Sequence, residues 1–145
     1  MADSIREQIL QIVAAAIAAE VTPPVQVYRS RVAALRSSQL PAVIVSPVRD
    51  VPEDGNLHWQ DRDLTIMVDV VTGEGLDTAA DPWIQAVHEV MMDGERDLGL
   101  AAVTDVQPGP TEFMADRAGE LTGVARMQWI VRYRTSHASL AVGPT

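Results

Sequence analysis

The sequence predicts an α+β fold: one domain with a single, mostly antiparallel β-sheet packed by two helices, in the order α-β-β-β-α-β-β. Three observations predict it. Two stretches, Arg62 to Thr72 and Val124 to Thr135, alternate apolar and polar residues at the period of a half-buried strand. Two others, near the start and the middle, repeat apolar residues at helical spacing. Most links between strands are of hairpin length, which favours antiparallel neighbours with the helices on one face.

The first helix opens at Ser4-Ile5-Arg6-Glu7, the pattern of a capping box in which Ser4 and Glu7 satisfy each other's backbone N–H groups. Ile5, Ile9, Ile12, Val13, Ala16 and Ile17 then mark its apolar face, and it ends near Val21 because Pro23-Pro24 cannot continue it. Val25 to Arg29 reads as a short strand. Ser30 to Leu40 reads as a loop or a short helical turn, and Pro41 opens a second strand, Ala42 to Val48, apolar on both faces and so placed inside the sheet.

Arg49 to Gln60 is rich in Asp, Glu, Pro, Gly and Asn and is expected as an exposed hairpin loop. In the strand that follows, Leu64, Ile66, Val68 and Val70 face one way, and Asp63, Thr65, Met67 and Asp69 the other. Gly73-Glu74-Gly75 breaks it. The second helix is expected from Pro82, with a start as early as Leu76, Asp81 as N-cap and Gly94 as its stop. Trp83, Val87, Val90 and Met91 form its buried stripe, with Ile84 beside it. Leu100 to Gln107 reads as a strand interrupted at Pro108-Gly109-Pro110, which Thr111 to Ala115 extends beyond a bend. Asp116 to Gly123 is expected as a polar turn. The last strand puts Ala125, Met127, Trp129, Val131 and Tyr133 on one face and Arg126, Gln128, Ile130, Arg132 and Arg134 on the other. One domain over residues 1–135 and a flexible tail over 136–145 complete the plan. The expected core comprises Ile9, Ile12, Val13, Ile44, Leu64, Ile66, Val68, Val87, Val90, Met127 and Trp129.

Composition narrows the chemistry. The 145 residues carry a net charge of -9, which argues against gripping nucleic acid through its phosphates. Every basic residue is Arg, so Schiff-base and P-loop lysines are excluded. Cysteine is absent, which excludes disulfides, thiolate metal sites and cysteine nucleophiles. The start has no basic leader segment, and the longest strongly apolar stretch, Ile12 to Ala19, is far shorter than the roughly 20 residues of a membrane span. A soluble protein made in the cytoplasm, without membrane association, is the expectation.

No catalytic constellation stands out. His88-Glu89 begins like a zincin helix, but Met92 stands where the second His ligand belongs, so His88 reads as a surface or half-buried histidine. No Gly-x-Ser-x-Gly elbow is present. The paired carboxylates Asp61 with Asp63, Asp50 with Glu53 and Asp54, and Glu74 with Asp77 read as solvated surface. Neither a catalytic residue, a cofactor nor a metal is expected. Asp69, among apolar strand neighbours, is expected to pair with Arg126 or Arg132 across the sheet or to form a subunit contact. The Arg126, Arg132 and Arg134 stripe has two readings: contact with an acidic partner, or neutralisation of nearby acids on the same sheet. The candidates for a protein interface are Arg29, Arg31, Arg36, Asp50, Glu53, Asp54, Asp69, Arg126, Arg132 and Arg134. The segments Arg29 to Arg36, Arg49 to Gln60 and Pro108 to Gly123 are expected to be the functional loops, being long, polar and marked by Gly or Pro.

The arrangement resembles the phage tail terminator proteins, the group that includes the minor tail protein U of lambda-like phages and related tail-completion proteins. The resemblance covers about Ile5 to Ser136. It rests on the N-terminal helix followed by Val27-Tyr28-Arg29, the strand entry Leu40-Pro41-Ala42-Val43-Ile44-Val45, the strand Arg62-Asp63-Leu64-Thr65-Ile66-Met67-Val68 that feeds a helix, and the closing Val131-Arg132-Tyr133-Arg134-Thr135. These are structural patterns, and none is a catalytic signature. The resemblance implies a virion protein that forms a ring, usually a hexamer, at the head-proximal end of the tail tube. Such a ring stops tube polymerisation and offers a surface to head-completion or neck proteins, while DNA passes through its lumen without specific binding. Two rival readings stand beside it: another neck, head–tail joining or tube protein, and, from a different class, a small ligand-binding or enzymatic α+β domain, which needs a pocket with converging polar groups.

Overall fold

The computed structural model describes residues 3–20, 26–30, 41–72, 79–94, 97–116 and 122–141. Its elements are α1 (Ile5–Glu20), β1 (Gln26–Arg29), β2 (Ala42–Gly55), β3 (Gln60–Thr72), α2 (Asp81–Met92), β4 (Val103–Asp116) and β5 (Thr122–Thr135). The chain is α+β: one five-stranded sheet in the order β1-β2-β3-β5-β4, antiparallel except where β1 runs parallel to β2.

Alternation in β3 and β5 dictates the middle of this sheet. The two strands pair throughout, from Gln60 opposite Thr135 to Thr72 opposite Gly123, without a register shift. Leu64, Ile66, Val68 and Val70 therefore share a face with Val131, Trp129, Met127 and Ala125, and all are buried. Val43 and Val45 of β2 and Val103 and Val106 of β4 widen that face. Ile5, Ile9, Leu10, Val13 and Ile17 of α1 and Val87 and Met91 of α2 cover it. Both helices lie on this one side, so the opposite face of the sheet has no covering layer among the described residues.

The helices deviate from expectation in small, explicable ways. Ser4 Oγ accepts from the Glu7 N–H at 3.1 Å, but the reciprocal half of the capping box is missing because the Glu7 carboxylate turns to Arg29. Leu10 is buried and Ile12 half-buried, so the stripe of α1 is rotated slightly from the one read from spacing. On α2, Val87 and Met91 are buried while Trp83, Ile84 and Val90 are only partly so. Ala80, not Asp81, takes the N-cap position, and Asp81 lies in the first turn, where its carboxylate suits the helix dipole and accepts from Gln85 at 2.7 Å. Gly94 ends the helix at φ +59°, a conformation that costs glycine little. The expected earlier start near Leu76 lies outside the described residues.

Two strand expectations are corrected. Arg49 to Gln60 is not a loop: β2 runs on to Gly55 and only residues 56–59 connect it to β3. Its bulges at Pro47/Arg49 and Pro52/Gly55 absorb the prolines that had marked it as irregular. Asn56 closes the turn, its side-chain oxygen accepting from the N–H groups of His58 and Trp59 at 2.7 and 3.0 Å. The Pro108-Gly109-Pro110 break is likewise a bulge within a continuous β4. It is tolerated because β4 is an edge strand, where a missing N–H leaves no ladder partner unpaired. A Cβ on Gly109 would come within 3.1 Å of the Gln128 Cβ and carbonyl oxygen, a close approach that a larger residue could make only if Gln128 shifted slightly.

The segment after β5 is also not free. Leu140 accepts the Ile5 N–H at 2.8 Å, satisfying one of the donors at the start of α1, and the Ser136 hydroxyl accepts from the Ser139 N–H at 3.0 Å. Residues 136–141 thus lie against the domain that the tail was expected to leave. Residues 142–145 lie outside the described set.

Candidate functional site: the uncovered sheet face

Side chains on the uncovered face follow from register. Asp61 stands opposite Arg134, Asp63 opposite Arg132 and Asp69 opposite Arg126. Each pair closes. Arg126 Nε and Nη2 reach the Asp69 oxygens at 2.9 and 3.1 Å, and Arg132 does the same to Asp63 at 2.8 and 3.1 Å. Arg134 Nε reaches Asp61 at 2.8 Å, and its guanidinium lies 4.4 Å from the ring centre of Trp59. Donating these hydrogen bonds to the Asp69 and Asp63 carboxylates raises the Arg126 and Arg132 guanidiniums above their ordinary pKa.

The Asp69 expectation is therefore met by Arg126, and the Arg stripe does neutralise acids of its own sheet. The aspartates lie deeper than their partners: side-chain exposure is 16–23% for the three Asp and 35–53% for the three Arg. Such half-exposed pairs contribute about 0.2–1 kcal/mol each, the bidentate ones at the upper end. Between the charged ends lie Thr65 opposite Ile130 and Met67 opposite Gln128, with Ile44, half-buried, on the neighbouring strand opposite Asp69. Ile44 thus faces this side rather than the core. On the far flank Asp105 is registered with Arg132 and Glu112 with Arg126.

The remaining interface candidates divide. Arg29 is on β1 and holds Glu7 with both guanidinium arms, at 2.9 and 3.3 Å, which lowers the Glu7 pKa. Glu53 and Asp54 are exposed on the β2–β3 arm. Arg31 and Arg36 lie outside the described residues. Asp50 is the correction: it sits on β2 with its side chain only 8% exposed, on the helix side of the sheet opposite Leu64. Arg6 approaches it at 3.1 Å, Arg62 at 3.5 Å, and the Tyr133 hydroxyl donates to it. Its charge is spent inside the monomer. Sequence reasoning missed Arg6, Arg62 and Tyr133 as its partners because they come from three distant stretches; the only signal was polar Arg62 in phase with Leu64 and Ile66.

Elsewhere the surface is less organised. His88 is exposed on α2, its ring 5.7 Å from that of Trp129. Among the described residues no group of His, Cys, Asp or Glu is arranged to hold a metal ion, and no helix is long and apolar enough to cross a membrane. The chain matches no family model and no curated protein.

Proposed function

We propose that this chain is a virion structural subunit of the tail-terminator kind, which assembles rather than catalyses. In this reading copies of the chain close into a ring, a hexamer by the resemblance, at the head-proximal end of a tail tube. The ring ends tube growth, receives the head-completion or neck protein and lets DNA pass through its lumen.

The observation that carries the reading is the one-sided build of the molecule. Both helices cover one face of a sheet whose strands reach 14 residues, and no described residue forms a layer over the other face. Three Asp–Arg pairs along β3 and β5 satisfy one another on that face, as suits a contact surface. The exposed Leu57 at the tip of the β2–β3 arm and Phe113 on edge strand β4 add apolar contacts at the margins.

Negative-stain microscopy of the purified protein tests the reading. Closed rings of uniform size support it. Long cylinders formed by the chain alone would move it to the tube subunits, and a dispersed monomer that turns over or tightly retains a small molecule would move it to another class.

A further inference from the structure

Arg62 is registered with Tyr133, which places it on the helix side of the sheet, and its side chain is only 22% exposed. Its Nη1 lies 3.5 Å from Asp50 Oδ1, an ion pair without hydrogen-bond geometry, and its enclosed Nε has no hydrogen-bond partner. Asp50 takes its hydrogen bonds at Oδ2 instead, from Arg6 and Tyr133. The Arg62 guanidinium, a fork of N–H donors, thus donates to no acceptor among the described residues. Donors left unsatisfied and largely out of water are costly, and more so on a charged group. The charge is also unbalanced. One carboxylate, Asp50, is shared between Arg6 and Arg62, which leaves a positive charge in excess there although the chain carries -9 overall.

Arg62 forms part of the wall of a hollow of about 140 Å³ between the start of β3 and the segment after β5. No carboxylate lines it. Among its polar lining residues, the Gln60 amide nitrogen donates to the Asp61 carbonyl at 3.0 Å, and the Ser136 hydroxyl donates to the Ser139 carbonyl at 3.2 Å. His137 Nε2 is set against the Asn56 carbonyl. Ser139 Oγ accepts the Ala141 N–H at 3.1 Å, and its own proton goes to no described residue. The capacity left over at this hollow is therefore that of donors: the Arg62 fork and the Ser139 hydroxyl.

We propose that the hollow binds a single oxyanion, a carboxylate or phosphate group, held by Arg62 and Ser139. The planar guanidinium matches two oxygens of either group, and such charge-assisted hydrogen bonds are the strong ones. The bound anion would tie β3 to the segment after β5, whose Leu140 carbonyl accepts the Ile5 N–H at the start of α1. It would thereby brace that helix end. This site does not depend on the ring reading.

NMR of the full chain tests it, following the Arg62 Nε–H resonance as inorganic phosphate, acetate or chloride is added at matched ionic strength. Phosphate and acetate are each expected to shift that resonance saturably and to slow hydrogen exchange at the Ile5 amide, while chloride does neither. A response to acetate alone assigns the site to carboxylates, such as an acidic side chain of another protein; a response to phosphate alone assigns it to phosphate groups. Ser139→Ala should weaken the binding about fivefold, the loss of one hydrogen bond. Arg62→Gln should abolish it, and if that variant fails to fold, the wild-type titration and Ser139→Ala decide. An Arg62 resonance that neither oxyanion moves, or that chloride moves equally, overturns the site. So does binding that Ser139→Ala leaves unchanged, since the hydroxyl would then hold nothing.

Discussion

Tyr133 of β5 donates its hydroxyl to the carboxylate of Asp50 on β2, a contact that crosses the helix side of the sheet over the intervening β3. The tyrosine is 1% exposed and Asp50 is also held by Arg6 and Arg62. Burial, then the hydrogen bond to Asp50, push the Tyr133 phenol well above its ordinary pKa.

Tyr133→Phe keeps the ring packing but deprives Asp50 of a donor. It should cost about 1–3 kcal/mol in urea unfolding. Asp50→Ala should cost more, because it leaves Arg6 and Arg62 facing each other. An ultraviolet pH titration should show Tyr133 ionising only well above the ordinary phenol range. The sign is that of a raised pKa: the stability contributed by the protonated phenol is complete below about pH 10, the unfolded value, and is lost as pH rises above it. Unchanged stability in both variants would remove this cluster from the folding account.

Ile66 is fully buried on β3 at the middle of the sheet, opposite Trp129. Ile66→Ala should destabilise the fold by about 2–5 kcal/mol, seen as a lower thermal midpoint. An unmoved midpoint would mean that the facing of β3 is misassigned.

Glu7 offers an acid-side test. The Arg29 hydrogen bond lowers its pKa below the usual carboxylate value. A depressed carboxylate stabilises above its unfolded pKa, and that contribution disappears as pH falls through the folded value. Glu7→Gln should therefore flatten part of the acid limb of the stability–pH curve and leave its neutral-to-alkaline limb parallel to wild type. With a side chain 39% exposed, the effect is small and screened by salt. An identical acid limb in the variant contradicts the pairing.

The fold was legible where one physical signal dominated. Alternation over β3 and β5 identified the central strands, and helical spacing with Pro82 and Gly94 bracketed α2. The β2–β3 arm was not legible, since Asp50, Pro52, Glu53, Asp54 and Gly55 have loop composition and the arm is mostly exposed on both faces. Backbone pairing holds it in β form, and pairing leaves no mark in composition. The Asp69–Arg126 contact could be anticipated because both residues break apolar or alternating strands on the same parity. The placement of Asp50 could not, because a two-residue shift in the apparent end of β2 decides whether it is loop or core edge, and bulges hide the phase.

The role we propose for this subunit is to terminate a tube by assembling on it. The most direct measurement is electron microscopy of tail tubes incubated with the purified protein, with tube length and end structure scored. The account predicts a ring-shaped density at one end only, and tubes that stop growing once it is present. Bare tubes at both ends, elongating as fast with the protein as without it, would contradict it.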